Sequence, residues 1–175
     1  MWKKNIILVG FMGTGKTTTG KALAAELGLP HRDLDEVIAQ REGRSISEIF
    51  RAKGEQYFRD RETAALEQLL AQQGQVLTTG GGAVLRPENV ALMQKAGTVV
   101  ALSAAEDELI KRLQNDSGRP LLAGGVAEQV RRLLAERKGA YDFAPIQIDT
   151  TNKPVSEIIA EILRHMVEKE ENGQN

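Results

Sequence analysis

Short apolar runs alternate with longer stretches whose apolar positions recur at helical spacing, and this rhythm holds from residue 5 to residue 168. Ile6-Ile7-Leu8-Val9 is the first run; a glycine-rich segment follows it, and then a helix-forming stretch over 16–27. The pattern predicts strands over 5–9, 31–34, 76–79, 98–102 and 146–149. It predicts helices over 16–27, 35–41, 47–53, 56–72, 87–95, 105–114, 126–143 and 155–168. Several helix starts carry their own signals. Ser45 with Glu48 fits a capping box, Pro87 suits a first helical turn, and Ser103 ahead of Glu106 offers an N-cap. Alternation of this kind builds a parallel sheet with helices on both faces. The expected fold is α/β: a single-domain three-layer α/β/α sandwich over 1–168 with a central five-stranded parallel sheet. The polar residues 169–175 are expected to form a frayed tail.

Composition narrows the possibilities modestly. A chain of 175 residues, 41% of them hydrophobic, is enough for one well-packed core. A net charge of −1 gives no electrostatic case for nucleic acid or an anionic membrane. The absence of cysteine excludes disulfides, thiolate metal sites and cysteine catalysis. The N-terminal apolar run ends at Gly10, too short to span a bilayer and without a cleavage pattern, so a cytoplasmic protein is expected. One Trp, two Tyr and four Phe leave little for stacking on single strands.

Ligands of such sheets gather beyond the carboxyl ends of the strands, and each strand exit here is chemically unusual. After the first comes Gly10-Phe11-Met12-Gly13-Thr14-Gly15-Lys16-Thr17, a complete G-x-x-x-x-G-K-[ST] phosphate loop. Its glycines let backbone N–H groups turn around phosphate oxygens, and the following helix adds its positive dipole end. Gly13, Thr14, Gly15, Lys16, Thr17 and Thr18 form the expected nucleotide-binding set, with Lys16 reaching the outer phosphates and Thr17 facing Mg²⁺. The chain is expected to bind a nucleoside triphosphate.

After the second strand comes Asp33-Leu34-Asp35, whose carboxylates would share one face if both lie on the strand. Asp33 suits Mg²⁺ through water. Asp35 suits either a substrate hydroxyl or the cap of the next helix. Gly80-Gly81-Gly82 follows the third strand, as a loose turn or as backbone that must approach a ligand closely. Arg59 and Glu62 share a helix, and Arg112, Arg131, Arg132 and Arg137 crowd the last third. Arg119 stands in an irregular, glycine-bounded loop that reads as a mobile lid over about 112–125. A guanidinium there suits the γ-phosphate of a phosphoryl-transfer enzyme.

In order and spacing these motifs resemble the shikimate kinase family of P-loop folds related to nucleoside monophosphate kinases. The resemblance rests on the phosphate loop, Asp33-x-Asp35, Phe58-Arg59-x-x-Glu62, Gly80-Gly81-Gly82, Arg119-Pro120-Leu121-Leu122, Arg137-x-x-x-Tyr141, and Ile148-Asp149-Thr150 ahead of Pro154. It implies ATP-dependent phosphorylation of the 3-hydroxyl of shikimate, with Mg²⁺, by a monomer. It further implies that Arg59 and Arg137 grip the substrate carboxylate and that Asp35 holds ring hydroxyls and receives the hydroxyl proton. Gly81 would add a backbone contact, and 33–62 would form the substrate segment. Lys16 and Arg119 would neutralise the transferring phosphoryl group, while Arg112 and the strip from Asp149 to Pro154 would sandwich adenine. Glu62 would orient Arg59; Tyr141 reads equally as core or as site. Gluconate kinases and nucleoside monophosphate kinases share the loop and lid but not the ordered set. A regulatory GTPase would need Asp-x-x-Gly, which does not occur here. His31 and His165 read as structural or surface residues.

Overall fold

The computed structural model describes residues 4–114 and 125–172. Arg119, and with it most of the expected lid, lies outside the described residues. The all-buried β1 (Asn5–Gly10) is the middle of the sheet. It pairs with β3 (Val76–Thr78) on one side and β4 (Gly97–Ser103) on the other. Beyond them lie β2 (His31–Asp33) and β5 (Ile146–Asp149), giving the order β2-β3-β1-β4-β5 with every pairing parallel. This is the expected five-stranded parallel sheet.

Side chains of a strand alternate between faces, which divides the core in two. Ile7, Val9, Leu77, Val99 and Ala101 pack against α2 (Leu34–Glu42), α3 (Ile46–Leu70) and α4 (Pro87–Ala96). Ile6, Leu8, Val76, Val100 and Leu102 pack against α1 (Lys16–Leu27) and α7 (Val155–Asn172). Full burial of such a side chain stabilises by roughly 1.5–3 kcal/mol, so β1 is a firm base for the loop leaving it. A third cluster seats Phe11 and Met12 of that loop on α5 (Glu106–Leu113) and α6 (Val126–Glu136).

Local chemistry explains most boundaries. Ser45 and Glu48 form the expected capping box, and Pro87 opens α4. Gly54, at φ 84° and ψ 171°, interrupts α3 between the two helices expected there. Several expectations need correction. β2 stops at Asp33 because that residue caps α2: its Oδ1 accepts from the N–H groups of Asp35 and Glu36 at 3.0 and 3.2 Å. Asp35 therefore sits in the first turn of α2 rather than on a strand face shared with Asp33. Ser103 caps nothing; it stays in β4, and the N–H of Ala105 donates to Thr151 Oγ1 at 2.8 Å. Finally, α6 ends at Glu136 instead of reaching 143, and α7 continues to Asn172, past the expected end at 168. Among the described residues no helix is long and apolar enough to cross a membrane.

Candidate active site

At the carboxyl edge of the sheet, β1 lies where the chain order reverses direction, the point at which open α/β sheets form their crevice. The loop leaving it delivers Gly15, at φ 89°, as the N-cap of α1. No side chain caps that helix and its first turn carries no acidic residue, so its N-terminal N–H groups remain available to an anion. Lys16 is buried, and its Nζ donates to the carbonyls of Gly10 and Phe11 at 2.7 and 2.9 Å. A cleft of about 380 Å³ opens here, lined by Gly13, Gly15, Lys16, Thr17 and Thr18 on one wall and Asp33, Asp35, Gly80 and Gly81 on the other. Across it the Thr17 hydroxyl donates to Asp33 Oδ2 at 2.9 Å.

The far end of the phosphate loop is tied to β5. Arg112 donates through Nη1 to the Gly13 carbonyl at 3.0 Å and to Thr150 Oγ1 at 3.2 Å, and through Nη2 to the Thr150 carbonyl at 3.2 Å. The Oγ1 of Thr150, an almost fully buried residue, lies 2.9 Å from the Ser103 carbonyl and 3.1 Å from that of Thr14, with one proton to share between them. Arg112 and the strip after β5 thus meet beside the loop. Pro154 stands at the end of that strip, its carbonyl accepting from Glu157 and Ile158 at the start of α7.

The opposite wall gathers the remaining sequence candidates around the glycine triplet. An added Cβ on Gly80 would lie 3.0 Å from Asp35 Oδ1; one on Gly81 would lie 3.2 Å from Arg137 Nη1; one on Gly82 would lie 2.3 Å from Arg59 Nη2. The glycines are there because two guanidinium groups and a carboxylate press against the backbone. Arg59 and Arg137 are both nearly buried. Arg59 Nη1 is held by Glu62 at 2.8 Å and Nη2 by Glu55 at 3.3 Å. Arg137 Nη1 has no hydrogen-bond partner among the described residues, and its guanidinium lies 5.7 Å from the Phe11 ring centroid. Fully buried Glu62 has its pKa pushed up to about 7 by desolvation, against the pull of Arg59.

Tyr141, left open by the sequence, belongs to this wall: its hydroxyl donates to the Gly81 carbonyl at 2.6 Å. Burial raises its pKa, so it remains a donor. It reaches the site because α6 stops early, with Gly139 at φ 78° in the turns that follow. Sequence reasoning also passed over Thr78, fully buried, whose hydroxyl donates to Asp33 Oδ2 at 2.9 Å. A threonine before a glycine triplet carries no signal of its own; its partner is forty-five positions away.

A triphosphate cradle that shares one cleft with carboxylates, beside a glycine triplet carrying two guanidinium groups, defines a small-molecule kinase of the P-loop class. Residues 12–167 match the family model described as shikimate kinase. A shikimate kinase of Geobacter metallireducens is 44% identical over 164 residues, covering 93% of this chain and 92% of the relative. That of Geobacter sulfurreducens is 46% identical over 160 residues, covering 91% and 88%. Among solved structures, the shikimate kinase from Acinetobacter baumannii in complex with shikimate is 36% identical, with a TM-score of 0.91 over 95% of this chain and 94% of that one. The chain belongs to the shikimate kinase family, phosphotransferases of the shikimate pathway and so of aromatic amino acid biosynthesis.

Proposed function

We propose that this chain transfers the γ-phosphoryl group of ATP to the 3-hydroxyl of shikimate, acting as a monomer in the cytoplasm. The observation that carries the reading is the convergence of Asp35, Arg59 and Arg137 on three glycines across one cleft from the phosphate loop. Shikimate is a cyclic acid with three hydroxyls, so its site needs cations at one end and acceptors at the other. Arg59 and Arg137 hold the carboxylate, a task suited to the planar guanidinium fork. Asp35 accepts from the ring hydroxyls, and the Gly81 backbone lies between.

The Mg²⁺ expected with ATP fits the donor set. Asp33 accepts from Thr17 through Oδ2 and from Asp35, Glu36 and Thr78 within the fold, so it faces the phosphate loop as a hydrogen-bond acceptor rather than as a bare metal ligand. It therefore suits a cation reached through water, while the Thr17 oxygen keeps lone pairs after donating its proton. Among the described residues no larger group of metal-ligating side chains exists, which suits an ion that retains water and binds substrate phosphates. When bound, Mg²⁺ supplies charge neutralisation at the phosphates.

Phosphoryl transfer has a loose transition state, so positioning and charge neutralisation outweigh a strong base. Lys16 exchanges its carbonyl partners for phosphate oxygens. Arg119, in the segment outside the described residues, belongs to the same reading as the cation of a closing lid. Asp35 takes the hydroxyl proton. Adenine lies between Arg112 and the strip from Asp149 to Pro154. The test is ADP release with shikimate, gluconate and nucleoside monophosphates offered separately. Turnover is expected with shikimate; turnover confined to either of the others would overturn the reading.

A further inference from the structure

Two side chains beside the nucleotide cleft have no part in the roles given so far. The Thr78 hydroxyl lies 2.9 Å from Asp33 Oδ2, 3.5 Å from the Arg32 carbonyl and 3.2 Å from His31 Nε2. A hydroxyl has one proton to donate. The carboxylate can only accept, and the shorter, charge-assisted bond takes that proton. The contact to His31 must then be Nε2–H donating to Thr78 Oγ1, which fixes the tautomer of the imidazole. A line of donors thus runs from His31 through Thr78 to Asp33 Oδ2, the oxygen that the Thr17 hydroxyl also reaches.

Three elements close around this line. An added Cβ on Gly20, in α1, would lie 2.3 Å from Thr78 Cγ2 and 3.1 Å from His31 Nε2. The helix of the phosphate loop therefore packs directly onto the Thr78–His31 pair, with no room for a methyl group between them.

We infer that Thr78, held in place by His31, is a positioning residue for the Mg²⁺ site: it fixes the plane of the Asp33 carboxylate so that Oδ2 stays turned toward Thr17. This rests on the proposed reading of Asp33 as the metal-facing carboxylate. The α2 cap holds Oδ1, but Oδ2 has just two donors, and Thr17 is an exposed residue that must also serve the metal. Thr78 is the fully buried donor of the two. Outer-shell bonds of this kind change metal affinity by about 10–100-fold. A carboxylate acting through water lies at the low end of that range.

Calorimetric titration of ADP into the protein, once with Mg²⁺ and once with EDTA, tests the inference. Thr78→Val keeps the shape and strand preference of the side chain but removes its proton. It should weaken ADP binding about tenfold with Mg²⁺ and less than about twofold with EDTA. Thr78→Ser should restore the Mg²⁺ effect. His31→Gln keeps an N–H and should match the wild type, whereas His31→Leu should shift in the direction of Thr78→Val; identical behaviour of these two would overturn the part given to His31. Wild-type Mg²⁺ dependence in Thr78→Val would overturn the inference, as would an equal loss with and without the metal. Asp33→Asn separates this from the underlying reading. If it leaves Mg²⁺ dependence intact, the role of Asp33 fails; if it abolishes that dependence while Thr78→Val does not, the inference about Thr78 alone fails.

Discussion

Glu62 has no exposed surface, and its Oε2 has no hydrogen-bond partner among the described residues, while Oε1 binds Arg59. Desolvation raises its pKa from 4.5 to about 7; Asp35 adds to the rise, and Arg59 and Arg137 oppose it. Between those values the folded protein holds a proton that the unfolded chain has released. Stability from this group is therefore complete below 4.5, falls as pH rises through that window, and is lost above 7. Glu62→Gln is neutral throughout and lacks the slope. From about pH 5 to pH 8 the difference in unfolding free energy should move in favour of the variant by up to about 3 kcal/mol, read by urea titration at each pH. A difference constant with pH would show that Glu62 stays ionised across the range. The pairing of Arg59 with Glu62 was legible in the sequence, because residues three apart share a helix face. The protonation of Glu62 was not, since it depends on how completely distant segments cover it.

At the scale of elements, glycine does two different jobs, and substitution should separate them. Gly82 has φ −97° and ψ 1°, which alanine accepts, but its Cβ would push on Arg59. Gly97 also accepts alanine in backbone terms, but its Cβ would lie 2.2 Å from the Asn5 carbonyl oxygen, between β4 and β1. Gly82→Ala should raise the KM for shikimate about tenfold, equivalent to roughly 1.4 kcal/mol of binding. Gly97→Ala should instead cost about 1–3 kcal/mol of stability with little change in KM. Thermal melts and steady-state kinetics on both variants decide; a Gly82→Ala protein with normal KM would make the triplet a packing turn. Elements whose limits are set by neighbouring residues were readable: the capping box, Pro87 and the break at Gly54 are local chemistry. Those set by distant pairing were not. The apolar spacing that suggested a helix to 143 continues through Tyr141 and Phe143, yet those residues serve the core and the Gly81 carbonyl after a turn at Gly139. Ser103 reads as a cap until its pairing with Asp149 draws it into β4.

For the whole molecule, the donor and acceptor halves lie at one sheet edge but are supported by different layers. The phosphate loop rests on the cluster with α5 and α6 and is clamped to β5 through Arg112 and Thr150. The acceptor wall rests on α3 and the glycine triplet, with Phe58 and Ala83 in the other core. Each ligand should therefore stabilise the protein through its own half. A ligand at one hundred times its Kd adds about 2.7 kcal/mol, a rise in Tm of roughly 5–10 °C for a chain of this size. Lys16→Ala should lose most of the shift from Mg²⁺ and ADP while keeping the shift from shikimate. For the converse variant Arg137→Met is a better choice than a change at Arg59, because removing Arg59 would leave Glu62 buried without its ion pair. Arg137→Met removes a guanidinium that makes no salt bridge among the described residues, so no buried carboxylate loses its ion pair, although the contacts to Tyr141 and Phe11 go with it. It should keep the nucleotide shift and lose most of the shikimate shift. If each variant lost both shifts equally, the halves would act as one unit, and Phe11, which packs with α5 and α6 and lies under the Arg137 guanidinium, would be the contact that joins them.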